Sequence, residues 1–556
     1  MIKWKLNIFF FKLPLLTLLY SPLFLLLYLV FRFQVNIPFW DEWDITGVFD
    51  AFYNGNLFAF LFQQHTDSRM FFPKLVFLFA GLLTGLDMRI FMYLSVFLAL
   101  LTSICIYVLI QRSFKNTVIA YVNVFFVNLM VFSPVADENW LWGMQFVFYI
   151  TPLLLCAGLV VNTSGFSLKR KVILNSIFSF VGTFSFANGL LLWLFLFPFN
   201  ELFKSNTVKT ERRYIGVYII LAFACVSVFF LGYEHHIVSR GKWDLVEIIK
   251  AFFSGIGGPL IKDNLKHSLL CGLVFFSLFT TVVYKIIPEL KDNLRRYYPW
   301  LVTACYAAAT ITLISVNRAG VIYTTASRYM TVSAYFIISS VILLSMYIAK
   351  SGNKTKIPVL LPAFFLFSLL YYRMYDNSID SMRSNCSSRE TARASLELSN
   401  IYATERTLRA LYPDGKKLLK KVEYLTQMRV LNIQIPRLGE LTLIADNKPS
   451  YGFFTECKEL PGEKLYISGN IKTPVEGKRI ILSYYTEESG EVFFGSIAPF
   501  DGNLIRSEDY YLVFANILST EAIDRHNAII SAYGIELNRK KIFKFSSTCS
   551  VINKKT

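Results

Sequence analysis

The sequence predicts a polytopic α-helical membrane protein with surface helices, followed by a soluble α+β tail that contains a β-sandwich-like part. Three observations carry that prediction. The chain is 54% hydrophobic, with 53 Phe and 31 Tyr and a mean hydropathy of +0.46, more apolar surface than a soluble fold can bury. Long apolar runs recur as far as residue 372 and then stop. Beyond about residue 440 the pattern changes to short alternating runs between Gly, Pro, Asn and Asp turns. The net charge of +18 divides unevenly, with 30 Lys/Arg against 16 Asp/Glu in residues 1–372 and 26 against 22 beyond. The excess therefore lies in the membrane part, where basic loops set orientation, and it is not a nucleic-acid footprint.

Taken in order, the apolar runs give about eleven transmembrane helices: 8–31, 89–110, 117–133, 144–162, the pair 172–186 and 188–199, 214–232, 268–287, 299–316, 329–349 and 357–372. The first run has no small-residue cleavage site, so it reads as an uncleaved helix and not a signal peptide. Residues 71–86 are apolar but short, hold Pro73 and Lys74, and follow a polar stretch. They predict a helix lying on or dipping into one face. The pair 172–199 breaks at Ser185-Phe-Ala-Asn-Gly189, and a half-helix end of that kind points backbone groups at a polar ligand.

Loop charge supports this layout. With the N-terminus inside, loops 111–116, 164–171, 200–213, 288–296 and 350–356 fall inside, and each carries two to four Lys/Arg, as positive-inside topology requires. Most acidic residues of the membrane part then gather outside, together with the tail. In that tail, 387–411 and 416–429 read as helices and 464–471, 479–485, 491–497, 510–515 and 528–533 as strands. The resulting domains are 1–372 (membrane), 373–439 (helical connector) and 440–556 (β-rich). Cys386, Cys457 and Cys549 of the tail predict one disulfide and one free thiol in an oxidising compartment, with the pairing open.

Chemistry points first to residues 39–44, Phe-Trp-Asp-Glu-Trp-Asp, directly after the first apolar run. Carboxylates avoid the lip of a membrane helix unless a pathway or reaction needs them, so Asp41, Glu42 and Asp44 are the candidate catalytic residues. Trp40 and Trp43 flank them, as indoles at headgroup level do. Further outer groups are His65, Asp67 and Arg69; Glu138, Asn139, Trp140 and Gln145; Asn188; and Arg318 and Arg328. Residues 233–243 add a polar loop with His235, His236 and Arg240. Arginine holds a phosphate, a carboxylate takes a proton from an attacking hydroxyl, and tryptophans and amides bind sugar faces and hydroxyls. That division of labour suits a transferase using a sugar on a lipid phosphate. Asp41, His65 and Asp67 are possible metal ligands, but no spacing specifies a metal site, and no cofactor is called for.

At these residues the chain resembles the GT-C class of membrane glycosyltransferases. The Asp41-Glu42 pair matches the acidic motif of the first outer loop, residues 57–86 the surface helices of that loop, and 172–199 a pair of short mid-chain helices. Residues 39–44, 65–69, 138–142, 185–189 and 327–329 are similar to a group of bacterial proteins assigned to that class, and O-antigen-modifying glucosyltransferases are the nearest functional analogues. The resemblance covers residues 1–372. It implies a GT-C fold in a bacterial inner membrane, with the site and the tail on the periplasmic side. It also implies an undecaprenyl-phosphate-linked sugar donor, with glucose favoured, and a surface polysaccharide acceptor such as the O-antigen of lipopolysaccharide. Inverting displacement would use Asp41 as base, with Glu42 or Asp44 as substitutes. Arg328, and Arg318 second, would hold the leaving phosphate. A functional link to a flippase and a polyprenyl-phosphate glycosyltransferase follows. The competing classes are a flippase for lipid-linked glycans, which should show internal repeats, and an O-antigen polymerase or ligase.

Overall fold

The computed structural model describes residues 14–199, 209–234, 244–318, 324–351, 357–401, 408–444, 452–460, 464–472, 478–486, 490–497, 511–519 and 528–551. His235, His236 and Arg240 of the polar loop lie outside them. The chain divides into two compact units: residues 1–34, 47–79 and 89–382, and residues 35–46, 80–88 and 383–556. From residue 383 on, the expected connector shares one unit with the β-rich domain, and the acidic lip belongs to that unit as well.

The first unit is helical. Seven of the described helices are long and apolar enough to cross a bilayer: Met88–Ser113, Thr117–Leu141, Gly143–Asn162, Arg213–Phe230, Leu265–Glu289, Asn293–Arg318 and Ser327–Lys350. Ser21–Phe33 and Phe71–Thr84 are apolar but shorter. The 14 residues of Phe71–Thr84 span only ~21 Å at 1.5 Å per residue, below the ~30 Å of a hydrocarbon core. The pair read over 172–199 does break, but its second half is not a full helix. Leu168–Thr183 ends, and a 3-10 turn Ala187–Leu191 and a single α turn Leu192–Phe195 follow. Gly189 explains the tight return: a Cβ there would lie 2.0 Å from the Gly182 carbonyl oxygen, so only glycine lets the two backbones touch. A further helix lies outside the expected spans. Leu245–Gly257, capped by Asp244, packs backbone to backbone on Leu265–Ile286, where a Cβ on Gly257 would stand 2.0 Å from the Ser268 carbonyl oxygen.

Alternating helix directions give this unit two chemically different ends. At the first, cationic side chains close helix C-termini whose carbonyls have no helical partner. Arg296 donates to the Ser113 carbonyl at 2.9 Å and Arg295 to the Thr163 carbonyl at 2.8 Å. Arg112 donates to the Val160 carbonyl at 2.7 Å, and Lys171 to the Asn162 carbonyl at 3.1 Å. At the second end lie the segments between Val131 and Val147, between Thr183 and Leu192, and between Ser327 and Met330. The hairpin β1 (Gln64–His65) and β2 (Ser68–Arg69) lies there too.

The helix expected over 357–372 is longer and ends in the second unit. It runs from Ile357 to Glu397 without a break, because after Pro362 no Gly or Pro interrupts it, although the composition turns polar at residue 373. Its residues to Met382 count with the first unit. Gly415–Gln427 is an amphipathic helix that buries Leu418, Val422 and Leu425, with Asp414 accepting from the Lys417 N–H at its start. Five strands, β5 to β9, follow the alternating runs closely, and β3, β4, β10 and β11 lie outside them: β3 (Thr442–Ile444), β4 (Gly452–Leu460), β5 (Lys464–Lys472), β6 (Lys478–Thr486), β7 (Gly490–Ile497), β8 (Tyr511–Ser519), β9 (Ala528–Glu536), β10 (Lys541–Lys544) and β11 (Cys549–Val551). They form two sheets, β3-β10-β9-β6-β7 with β11 paired to β9, and β4-β5-β8. Pairing is antiparallel except for β3 with β10. Alternation decides the faces: Ile480, Leu482, Ile530 and Ala532 are buried on one side of the larger sheet. On the other side Ile481, Ile535 and Ile542 pack with Leu398. Arg479 of β6 reaches Glu397 at the helix end in a buried ion pair. Cys457 is disulfide-bonded, whereas Cys386 is buried and outside any disulfide; the Cys549 side chain is not among those described.

Candidate functional site

The candidate site in the first unit is assembled at its second end from loops that hold one another by main-chain contacts. The hairpin comes first. Ser68 Oγ accepts from the Ala187 N–H at 3.1 Å, and the Gln64 amide pairs with both backbone groups of Glu234. Arg69 is nearly buried, and its guanidinium donates to the carbonyls of Phe229 and Phe62 at 2.7 Å each and to that of Leu231. It stacks on the Phe62 ring as well. Arg69 therefore has a structural task, fixing the hairpin to a helix end. Lys74 does similar work, donating to the Phe60 and Gln63 carbonyls at 2.8 Å each.

With the hairpin fixed, Asp67 at its tip faces Arg318, the last residue of its helix, at 3.3 Å. His65 is half-buried in β1. In the adjoining turn, Asn188 is buried, and its Oδ1 has no hydrogen-bond partner among the described residues. That is an acceptor whose desolvation is uncompensated. The Phe148 ring links this turn to the next loop, packing on Phe186 at 4.7 Å and on Tyr329 at 6.4 Å.

The tightest grouping is Asp137, Glu138 and Asn139 with Ser327, Arg328 and Thr331. The Glu138 N–H donates to Ser327 Oγ at 3.1 Å, and Asn139 Nδ2 donates to the Arg328 carbonyl at 2.9 Å and to Thr331 Oγ1 at 2.8 Å. These bonds place the Glu138 carboxylate 3.5 Å from the Arg328 guanidinium, which also lies over the Tyr329 ring. Asp137 is buried and pairs with Lys262 at 2.8 Å, while Ser381 Oγ donates to it at 2.7 Å. Lys262 and Ser381 were not foreseen, since each is a single polar residue far from Asp137 in sequence. Trp140 is buried, stacked on Tyr149 at 4.7 Å, with its Nε1–H on the Ser133 carbonyl. Gln145 is buried nearby in sequence, in the 3-10 turn Gly143–Phe146.

The acidic lip lies in the second unit. The three carboxylates differ sharply there. Glu42 is buried, and its Oε2 accepts from the Phe39 N–H at 2.6 Å, closing its own turn. Asp44 accepts from Lys421 Nζ at 2.9 Å and from the Tyr412 hydroxyl at 2.8 Å. Burial alone would raise its pKa, but the hydrogen bonds from Lys421 and Tyr412, with the positive charges of Lys421 and Lys417, together outweigh burial and hold the carboxyl below its usual range. Asp41 is half-exposed, and its side chain does not cap the helix that it precedes. Trp43 is fully buried, whereas Trp40 is 43% exposed and holds a left-handed φ of 48°. Tyr412 and Lys421 had no signal in the sequence, because only the fold brings them to residue 44.

Among the described residues, no group of three or more His, Cys, Asp or Glu stands close enough together to hold a metal ion. No protein-family model, curated protein or solved structure matches this chain.

Proposed function

We propose that the chain is a membrane glycosyltransferase that moves a sugar, glucose in the favoured case, from undecaprenyl phosphate to a surface glycan on the periplasmic side of a bacterial inner membrane. The observation that carries this reading is the clasp that sets Arg328 beside Glu138 and Asn139. It puts a guanidinium, a carboxylate and an amide on one polar end of an apolar helical unit, the set that a lipid-phosphate sugar requires.

In the proposed step an acceptor hydroxyl oxygen attacks the anomeric carbon as the carbon–oxygen bond to phosphate breaks. The phosphate leaves with the bonding electron pair, Asp41 takes the hydroxyl proton, and the anomeric configuration inverts. Local structure favours Asp41 among the three carboxylates: Glu42 closes a turn, and the depressed pKa of Asp44 makes it a weaker base. Arg328, with Arg318 second, neutralises the leaving phosphate.

The test is to incubate purified protein with radiolabelled undecaprenyl-phosphate sugars and a surface polysaccharide. Label should reach the glycan, and Asp41→Asn should reduce transfer by about 10²-fold or more while donor binding survives. Transfer near wild type in Asp41→Asn removes Asp41 from the base role; no transfer from any donor rejects the reading. Orientation is tested separately by cysteine labelling. For this, exposed Lys416 is replaced by Cys. An impermeant reagent should label that site from the periplasm, and labelling only after the inner membrane is broken would reverse the assigned side.

A further inference from the structure

Glu138 and Arg328 are held together in two different ways. Their main chains are locked by the Glu138 N–H on Ser327 Oγ and by the Asn139 amide on the Arg328 carbonyl. Their side chains are joined loosely: Oε2 and Nη1 stand 3.5 Å apart, with the arginine 26% and the glutamate 32% exposed. That separation exceeds the ~2.7–2.9 Å of a well-made charge-assisted bond. The backbone clasp thus keeps the two charges facing each other without requiring that they bond. A phosphate presents two oxygens to the planar guanidinium fork, a better geometric match than a carboxylate oxygen at 3.5 Å.

Resting on the glycosyltransferase reading above, we propose that Glu138 is a placeholder anion for Arg328, displaced by the lipid phosphate and returning to expel it after transfer. Charge gives the second half of the argument. The donor is a phosphodiester with a single negative charge, whereas the product is a phosphate monoester carrying about −1.5 to −2 at neutral pH. The group on Arg328 therefore becomes more anionic as the sugar leaves, and an arginine with no competitor would retain the product. A tethered carboxylate restores neutrality at Arg328 when the product departs. It also stops neutral lipids from gaining anything at this position. Glu138 is on this view a positioning and specificity residue that acts through Arg328, with no proton to transfer.

The experiment measures equilibrium binding of undecaprenyl phosphate to the full-length protein in nanodiscs of neutral lipid, for wild type, Glu138→Gln and Arg328→Ala. Glu138→Gln should bind about two- to fivefold more tightly, the scale of losing one partly exposed ion-pair competitor, with slower dissociation. Arg328→Ala should bind about tenfold more weakly or worse. Glu138→Asp, which keeps the charge but draws it back from the guanidinium, should fall between wild type and Glu138→Gln, and it serves if the glutamine variant does not fold. Measurable wild-type binding with equal or weaker binding by Glu138→Gln overturns the placeholder role and leaves the glycosyltransferase reading standing. No binding by the wild type overturns both.

Discussion

At one end of the helical unit four cations meet backbone carbonyls, although Lys350 there pairs with Glu289, and at the other three cations meet carboxylates. Arg295, Arg296, Arg112 and Lys171 close the ends of helices, where the acceptors are fixed parts of the main chain. Arg318, Arg328 and Lys262 pair with Asp67, Glu138 and Asp137, side chains that an anionic ligand can replace. The same residue types thus do different work, and the partner separates the two roles. Arg69 and Lys74 sharpen the rule: they belong to the hairpin region of the second end, yet they bind carbonyls, so we assign them to the scaffold.

The largest effect expected from this contrast is on stability at the carbonyl end. Arg296→Ala removes charge-assisted bonds to the Ser113 carbonyl, and thermal unfolding in detergent should show a loss of about 1.5–3 kcal/mol. Its affinity for undecaprenyl phosphate should match wild type; a variant that loses lipid affinity and keeps its stability breaks the comparison. The mirror case is Arg328→Lys, which keeps the charge and loses the fork. Affinity for undecaprenyl phosphate should fall about threefold to tenfold, with unfolding within about 0.5 kcal/mol of wild type. Unchanged affinity would return Arg328 to the scaffold and move the phosphate to Arg318.

The smallest effect concerns Asp44, a carboxylate–cation pair in the second unit. Its folded pKa lies below the ordinary value of 3.8, so its contribution to stability is present above that value and is lost as pH falls through the folded pKa. The unfolding difference between wild type and Asp44→Asn should therefore stay constant from about pH 7 to pH 5 and shrink only below about pH 4. A difference that vanishes near neutral pH would mean that Lys421 and Tyr412 do not lower it.

The sequence by itself determined the elements whose signals are local. Apolar runs of sufficient length mark the long helices, the strands from Lys464 to Glu536 lie where alternation and turn residues put them, and the break after Thr183 falls at its Asn-Gly pair. Local signals erred where nothing local marked the change. The helix ending at Glu397 continued through a shift in polarity that breaks no hydrogen bond. Leu245–Gly257 is too short to register as a span, and it is held by glycine contacts with a neighbouring helix. The candidate residues were legible as polar groups at the ends of apolar runs, but their tasks were not. Only the tertiary structure decided that Arg69 serves carbonyls while Arg328 faces a carboxylate, that Trp43 is core while Trp40 is exposed, and that Asp44 is held by Lys421 and Tyr412. The physical reason is range: helix and strand formation follow neighbours a few residues away, whereas the partner of a charge is set by whatever the fold brings within about 4 Å of it.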